Sequence, residues 1–324
     1  MKSALRILGG NCMLAVLAAM ALAHPVNAQQ KYPEKNVVVI SPVTAGAVDV
    51  LLRGIAEGVA KRSGTTLVIQ PRPGAFGSIA AGAVASAEPD GYTIGIVAPG
   101  PVVVNPLVNK DIKYDQKSFA PIALLVRGGS VLVGSPKLPA SNFAELLKLA
   151  KSRAEPLRVG YNGLAIKIAL LGIEDAANVK FLQVPFGTPA GMQAAAISGD
   201  LDLMIESPGS PYALVQEGRL KAIAAGGKTR EPLYPKVGTI AEVLPGQGIT
   251  FWLGMVAPAA TPKDRLAWLE REIRASLEEP LIKARMYTAG FNVVAGSSKA
   301  FADEIRASSE QLTKVVKKYG ITEN

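Results

Sequence analysis

The side chains best suited to acid–base chemistry lie in one short stretch of the sequence. Asp200, Asp202 and Glu206 follow one another closely, and paired carboxylates can serve as a general acid and a general base. Asp200 and Asp202 flank the start of a predicted strand, whereas Glu206 lies at its far end. We therefore expect only Glu206 to face a cleft.

Four turns rich in glycine, proline, serine and other small residues suggest a different chemistry. Each turn follows a predicted strand and precedes a predicted helix, so backbone N–H groups at the helix start are available to an anion. An ordinary strand-to-helix connection is the alternative explanation for any one of them. The four turns occupy residues 40–49, 71–78, 160–163 and 185–189.

The composition argues against catalysis and against a bound metal. The chain has one cysteine, Cys12, and one histidine, His24, and both lie in a segment that we expect to be removed. The remainder would then have no thiolate or imidazole ligand, no disulfide and no Ser-His-Asp or Cys-His pair. Gly226–Thr229 resembles the end of a phosphate-binding loop, but Ala222 replaces the glycine that the pattern requires. We predict no cofactor and no enzyme, although Ser-Lys chemistry stays open.

The first 28 residues have the layout of a secretory signal peptide. Lys2 and Arg6 precede an apolar run, Met13–Ala23, and small residues then favour cleavage after Ala28. An uncleaved anchor is the alternative, but a cleavage-like site follows the apolar run at once and the run is short for a bilayer span. We expect a periplasmic protein that begins at Gln29.

Length, charge and periodicity narrow the fold and the partners. The chain has 324 residues and a formal charge of +9, which favours anionic ligands. Its basic residues are scattered, without the aromatic–basic cluster of a nucleic-acid surface. Strand-like runs alternate with helical runs, which predicts an α/β fold. One helix is predicted to begin near Asp49, and Pro99–Ser118 is expected to be irregular.

A series of short motifs extends along the chain from Tyr32 to Ile321. The motifs are Tyr32-Pro33, Ser41-Pro42 followed by Asp49, Arg72–Ala75 with Gly77, Pro89–Thr93, Phe119–Pro121, Gly199–Asp202, Gly218–Leu220, Ala257-Pro258 and Thr261-Pro262. In this order and spacing the chain resembles the substrate-binding proteins of tripartite tricarboxylate transporters, also called the Bug family.

The resemblance implies a two-domain periplasmic binding protein of the type II-like, flytrap kind with two crossover strands. Residues 29–120 and 254–324 would form the first domain, and residues 121–253 the second. The crossovers would be Phe119–Val126 and Thr250–Val256. The resemblance also implies a monomer whose partners are a small organic acid and two integral membrane transporter subunits.

The same resemblance implies a ligand site on the first three turns and at the end of one strand. The residues expected to contact the ligand are Val43, Thr44, Gly46, Val48, Asp49, Phe76, Gly77, Ser78, Asn162, Gly163, Leu164, Lys167 and Glu206.

Several of these residues depart from the family pattern. Val48 and Leu164 stand where a hydroxyl residue is usual, Phe76 where glycine is usual, and Lys167 where histidine is common. We hypothesise a smaller or more apolar pocket, with Phe76 as a wall and Lys167 as a charge partner. A packing or surface role for Phe76, a solvated Lys167 and a purely helix-stabilising Asp49 are the alternatives.

The predicted function is therefore the capture of a small carboxylate and its delivery to a membrane transporter. A sensor that signals to a membrane kinase when liganded is the alternative from another class, and a hydrolase is a third hypothesis.

Overall fold

The computed structural model describes residues 32–288 and 291–322. The predicted signal peptide (residues 1–28), Cys12, His24 and the expected first residue Gln29 lie outside the described residues. Within the described ranges, no helix has both the length and the apolar character that crossing a bilayer requires.

Two β-sheets organise the described chain, and helices cover both faces of each. The first sheet contains β1 (Val37–Ser41), β2 (Leu67–Pro71), β3 (Thr93–Val97), β4 (Phe119–Gly129), β10 (Thr250–Pro258) and β11 (Val293–Gly296). Its strand order is β11-β4-β10-β3-β1-β2. β1 runs parallel to β2 and to β3, so the carboxyl ends of these three strands meet at one edge.

The second sheet has five strands. They are β5 (Val131–Gly134), β6 (Leu157–Tyr161), β7 (Phe181–Pro185), β8 (Leu203–Glu206) and β9 (Lys221–Ala225), in the order β7-β6-β8-β5-β9. β6 runs parallel to β7 and β8, so their carboxyl ends also share an edge. We call each sheet, together with the helices packed on it, a lobe.

The described helices connect the strands and cover the sheets. They are α1 (Ala47–Ser63), α2 (Ser78–Ala85), α3 (Asn105–Val108), α4 (Phe143–Ser152), α5 (Leu164–Ala177), α6 (Pro189–Ser198), α7 (Tyr212–Gln216), α8 (Ile240–Val243), α9 (Lys263–Glu278), α10 (Pro280–Thr288) and α11 (Ser298–Tyr319).

Two local predictions from the sequence differ from the structure. The helix predicted near Asp49 begins two residues earlier, at Ala47, because the backbone of Gly46 already ends the turn at a positive φ. The segment Pro99–Ser118 is largely helical at its start. A π-helical turn, Gly100–Val104, leads into α3 and buries its valines. Burial of these apolar side chains stabilises the helical conformation of the segment.

The core of the first lobe follows the alternation of its strands. Val38 and Ile40 of β1 pack on the face covered by α2 and α11, whereas Val37 and Val39 are buried on the other face. On the first face, Trp252 lies edge-on to Phe301 of α11, with ring centroids 5.2 Å apart. Trp252, which is 2% exposed, is therefore part of the core on this face.

The second lobe has a separate core on each face of its sheet. Leu157, Val159 and Leu203 pack with α4 and α5 on one face. Met204 packs with Met192 of α6 on the other face. This alternation places Glu206, two residues after Met204, on the α6 side of the sheet.

Two adjacent strands carry the chain between the lobes, as predicted. β4 and β10 pair antiparallel from Phe119 opposite Pro258 to Gly129 opposite Thr250. The N–H of Ser130 donates to the carbonyl of Ile249 at 2.7 Å, which ties the two crossings together. The crossover strands are longer than predicted, but the α/β architecture with two crossovers is confirmed.

Candidate functional site

The turn between β1 and α1 leaves the start of a long helix without a side-chain cap. Gly46, the residue before α1, has φ 93° and ψ −165° and has no side chain with which to accept a hydrogen bond. The first backbone N–H groups of α1 therefore lack a partner within the helix. A Cβ on Gly46 would meet no described atom within 4 Å, so the space beside the turn is open. This geometry suits an anion.

Polar contacts shape the rest of this first turn. The hydroxyl of Ser41 donates to the carbonyl of Val43 at 2.9 Å and fixes the chain as it leaves β1. Thr44 is exposed, and Val43 and Val48 are half-buried. Asp49 accepts a hydrogen bond from Nε of Arg53 at 2.7 Å. The guanidinium offsets the repulsion between the Asp49 carboxylate and an anion bound at the helix start.

The turn after β2 has an unusual backbone. Four consecutive residues, Gly74–Gly77, have positive φ angles of 122°, 45°, 49° and 91°. Ala75 and Phe76 carry side chains, and each costs roughly 1–2 kcal/mol in this left-handed region. The Phe76 side chain is 42% exposed. The structure thus presents an aromatic surface at this turn, and its role as a pocket wall stays a prediction.

Gly77 holds the second turn against the turns that follow β1 and β3. A Cβ on Gly77 would lie 3.6 Å from Cβ of Pro42 and 3.3 Å from Cγ of Pro101. Three turns of the first lobe therefore gather at one edge of the sheet, where ligands of open α/β sheets bind.

Asn105 joins this group of turns and was missed by the sequence reasoning. Its Nδ2 donates to Oγ of Ser78, the first residue of α2, at 2.7 Å. Asn105 is 3% exposed, and its Oδ1 has no hydrogen-bond partner among the described residues. A polar residue directly after the apolar run Val102–Val104 was the available indication in the sequence.

The turn between β6 and α5 repeats the geometry of the first turn in the other lobe. Gly163 precedes α5 with φ 97° and gives it no side-chain cap. A Cβ there would meet no described atom within 4 Å. Asn162 and Lys167 flank the cap and are half-buried. Within the described ranges, the Lys167 ammonium forms no ion pair, so its charge is available to an anion.

Leu164 brings the two lobes into contact beside the third turn. It is 8% exposed and packs with Ile168 of α5, Val104 and Val108 of the first lobe, and Val316 of α11. The structure therefore gives Leu164 a packing role. Because Val104 follows β3 and Leu164 follows β6, the carboxyl edges of the two sheets lie against one another at this cluster.

Glu206 ends β8 at the same edge as the third turn. It is 6% exposed, and its Oε2 accepts a hydrogen bond from Nε2 of Gln193 at 2.9 Å. Its Oε1 is buried and has no partner among the described residues. Burial raises the pKa of the Glu206 carboxyl, and hydrogen bonds from Ser210 and Gln193 oppose that rise.

The other carboxylates of this stretch serve the fold. Asp202 accepts hydrogen bonds from the backbone N–H and from Nε of Arg158 at 2.8 and 3.1 Å, and Asp200 accepts one from Ser198 at 2.7 Å. Both lie just before β8, close to the strand start that they were predicted to flank. No group of three or more histidine, cysteine, aspartate or glutamate side chains in the described chain is arranged to hold a metal ion.

The chain is similar to one family over most of its length. The family described as the tripartite tricarboxylate transporter family receptor matches residues 51–321. A UPF0065 protein of Bordetella bronchiseptica is 29% identical over 308 residues, which cover 94% of this chain and 91% of that protein.

Solved structures show the same likeness. The periplasmic binding protein BugD is 27% identical, with a TM-score of 0.77, and the match covers 90% of this chain and 100% of that one. A protein of R. palustris solved with adipate is 28% identical, with a TM-score of 0.81, over 90% of this chain and 99% of that one. The two-lobed architecture is thus that of periplasmic binding proteins.

Proposed function

Because the chain belongs to the family of tripartite tricarboxylate transporter receptors, we propose that it captures a small organic acid in the periplasm and delivers it to a tripartite membrane transporter. Members of this family are solute-binding receptors, not enzymes. The adipate held by the R. palustris protein supports a carboxylate as the ligand.

One observation supports this proposal more than any other: the uncapped starts of α1 and α5. Each helix start carries roughly half a positive charge and free N–H groups. Gly46 and Gly163 leave both starts open, and they belong to different lobes. A carboxylate bound between them would accept hydrogen bonds from both lobes, and Lys167 would add a full positive charge.

The proposed ligand site contains the residues predicted from the sequence together with Asn105. Val43, Thr44, Gly46, Val48 and Asn162 would supply backbone groups and shape. The remaining residues of the proposed ligand site are Asp49, Phe76, Gly77, Ser78, Gly163, Leu164, Lys167 and Glu206.

The proposal includes a two-domain movement. We assign residues 29–120 and 254–324 to one domain and residues 121–253 to the other. The two separate sheets support a division into two domains, although the parts of β4 and β10 within residues 121–253 belong to the first sheet. Closure about β4 and β10 would bury the ligand. The signal peptide would direct export and would then be cleaved after Ala28, and the receptor would act as a monomer.

A thermal-shift screen of the protein beginning at Gln29 tests the function. The screen compares aliphatic and aromatic mono- and dicarboxylates with neutral compounds of matched size. A ligand at 100 times its Kd adds about 2.7 kcal/mol to the free energy of unfolding, which shifts the melting temperature visibly. Stabilisation by at least one carboxylate is the expected result. Stabilisation by neutral compounds alone would contradict the proposal.

A further inference from the structure

The Glu206 carboxyl lies next to the third turn, although it belongs to a different strand. β6 and β8 are parallel, with Gly160 opposite Met204. Continued by two residues, this register brings Glu206 alongside Asn162, and neighbouring strands lie about 4.8 Å apart. The strand that carries Glu206 therefore ends at the edge from which α5 starts, with the Glu206 side chain directed to the α6 face of the sheet.

The two oxygens of this carboxyl have different surroundings. Oε2 accepts a hydrogen bond from Nε2 of Gln193 at 2.9 Å. The same amide donates to Oγ of Ser210 at 2.9 Å, which leaves the Ser210 hydroxyl proton free to donate to Glu206. Oε1 is buried and has no partner among the described residues. A buried polar atom of this kind calls for an explanation.

The groups around Glu206 supply no positive charge. Within residues 32–288 and 291–322, no lysine or arginine forms an ion pair with it. The neighbouring elements contribute the amide of Gln193 on α6, the hydroxyl of Ser210, and Val131 on β5, which lies opposite Glu206. The phenol of Tyr234 interacts electrostatically with Glu206, and also with the phenol of Tyr212 and the carboxyl of Glu231.

This environment favours the protonated acid. Burial raises the pKa of the Glu206 carboxyl, and only neutral donors oppose the rise. Since Oε2 already accepts hydrogen bonds, the proton resides on Oε1 in the neutral form. A neutral carboxyl with a free O–H is a hydrogen-bond donor.

We propose that Glu206 contacts the ligand as a neutral acid and donates a hydrogen bond from Oε1 to an acceptor oxygen on the ligand's carbon chain, beyond its carboxylate. This inference rests on the proposed function, since it takes the carboxylate to be held by the two helix starts. Ligands with a second oxygen acceptor are thereby selected over simple alkyl carboxylates.

The proposal predicts a dependence of affinity on pH with a definite sign. Ionisation replaces the O–H donor by a negative charge, so affinity for an acceptor-bearing ligand falls as pH rises through the raised pKa of Glu206. Two probes isolate this effect: 4-oxopentanoate, which carries a ketone oxygen, and pentanoate, which does not. Above about pH 5.5 both carboxyl groups are ionised, so the probes themselves do not titrate.

Isothermal titration calorimetry between about pH 5.5 and 8.5 compares the wild type, E206Q and the control E231Q. At low pH, wild type binds 4-oxopentanoate about tenfold more tightly than pentanoate, which is the factor expected for one hydrogen bond. The preference of wild type for 4-oxopentanoate decreases as pH rises. E206Q, which keeps a neutral donor, retains the preference at every pH, and E231Q behaves as wild type.

Each other outcome has a clear meaning. If both probes bind wild type equally at every pH, the inference is overturned and the proposed function stands. If E206Q loses the preference at low pH, Glu206 does not act as a neutral donor, and the inference is overturned as well. If neither probe nor any other carboxylate binds at any pH, the proposed function itself fails.

Discussion

Replacing Lys167 with methionine isolates the one charged side chain that we place on the ligand's carboxylate. Methionine keeps the length of the aliphatic stem and a good helix propensity while it removes the charge. Lys167 is the fourth residue of α5, half-buried, and its backbone N–H donates to the carbonyl of Gly163 at 3.4 Å. The change therefore removes a charge about one helical turn from the open helix start.

The expected loss follows from electrostatics. Two unit charges about 4 Å apart interact by about 4 kcal/mol at an effective dielectric constant near 20. Desolvation offsets part of this, and a hydrogen bond to a charged group contributes about 1.5–3 kcal/mol net. K167M should therefore weaken carboxylate binding by roughly 10- to 150-fold.

Calorimetric titration with the best carboxylate from the thermal-shift screen measures this loss. K148M is the matched control, because Lys148 is an exposed lysine on α4 of the same lobe. K148M should bind as wild type does, and K167M should fold normally and bind with a smaller dependence on salt. If K167M binds within twofold of wild type, Lys167 is a solvated helix residue and the reasoning is refuted.

Three further predictions follow from the site and its surroundings. G46A and G163A should each weaken ligand binding at least about tenfold, since a side chain there costs about 1–3 kcal/mol and displaces the helix start. The control G218A, at another open glycine with φ 71°, should lower the free energy of unfolding without changing Kd. Equal Kd values for all three variants would remove both turns from the site. Without ligand, the free energy of unfolding of wild type relative to E206Q should fall as pH rises from about 4.5, because the pKa of Glu206 is higher in the folded state than in the unfolded state, so that ionisation lowers stability. Chemical denaturation across pH measures this difference between the two proteins. A difference that does not change with pH would contradict a buried acid at Glu206. L164A should lower the free energy of unfolding by about 2–3 kcal/mol. The control L182A, at a 52% exposed leucine, should stay within about 0.5 kcal/mol of wild type. Similar denaturation midpoints for both variants would show that the cluster between the lobes contributes little to stability.

Local sequence patterns predicted the scaffold of the site well. The alternation of strands and helices gave the α/β class, and the glycines before two helices marked the turns that the structure leaves uncapped. The positions of Gly46 and Gly163 before their helices could be predicted because the strand, the small-residue turn and the helix are contiguous in sequence. The strand positions of two carboxylates were also predicted, since Asp202 directly precedes β8 and Glu206 ends it.

The remainder depended on contacts between distant segments. The packing of Leu164 against Val104 and Val316 could not be predicted, because these residues lie far away in the chain. Asn105 was hidden in a segment expected to be irregular, and its bond to Ser78 spans 27 positions. Periodicity within one element carries no information about such partners.

The central claim is that a carboxylate binds between the starts of α1 and α5, and a crystal structure of the protein beginning at Gln29 with its tightest carboxylate tests it most directly. We predict carboxylate oxygens about 2.7–3.2 Å from backbone nitrogens in the first turns of both helices. A carboxylate held elsewhere, with those N–H groups bound only to water, would contradict it.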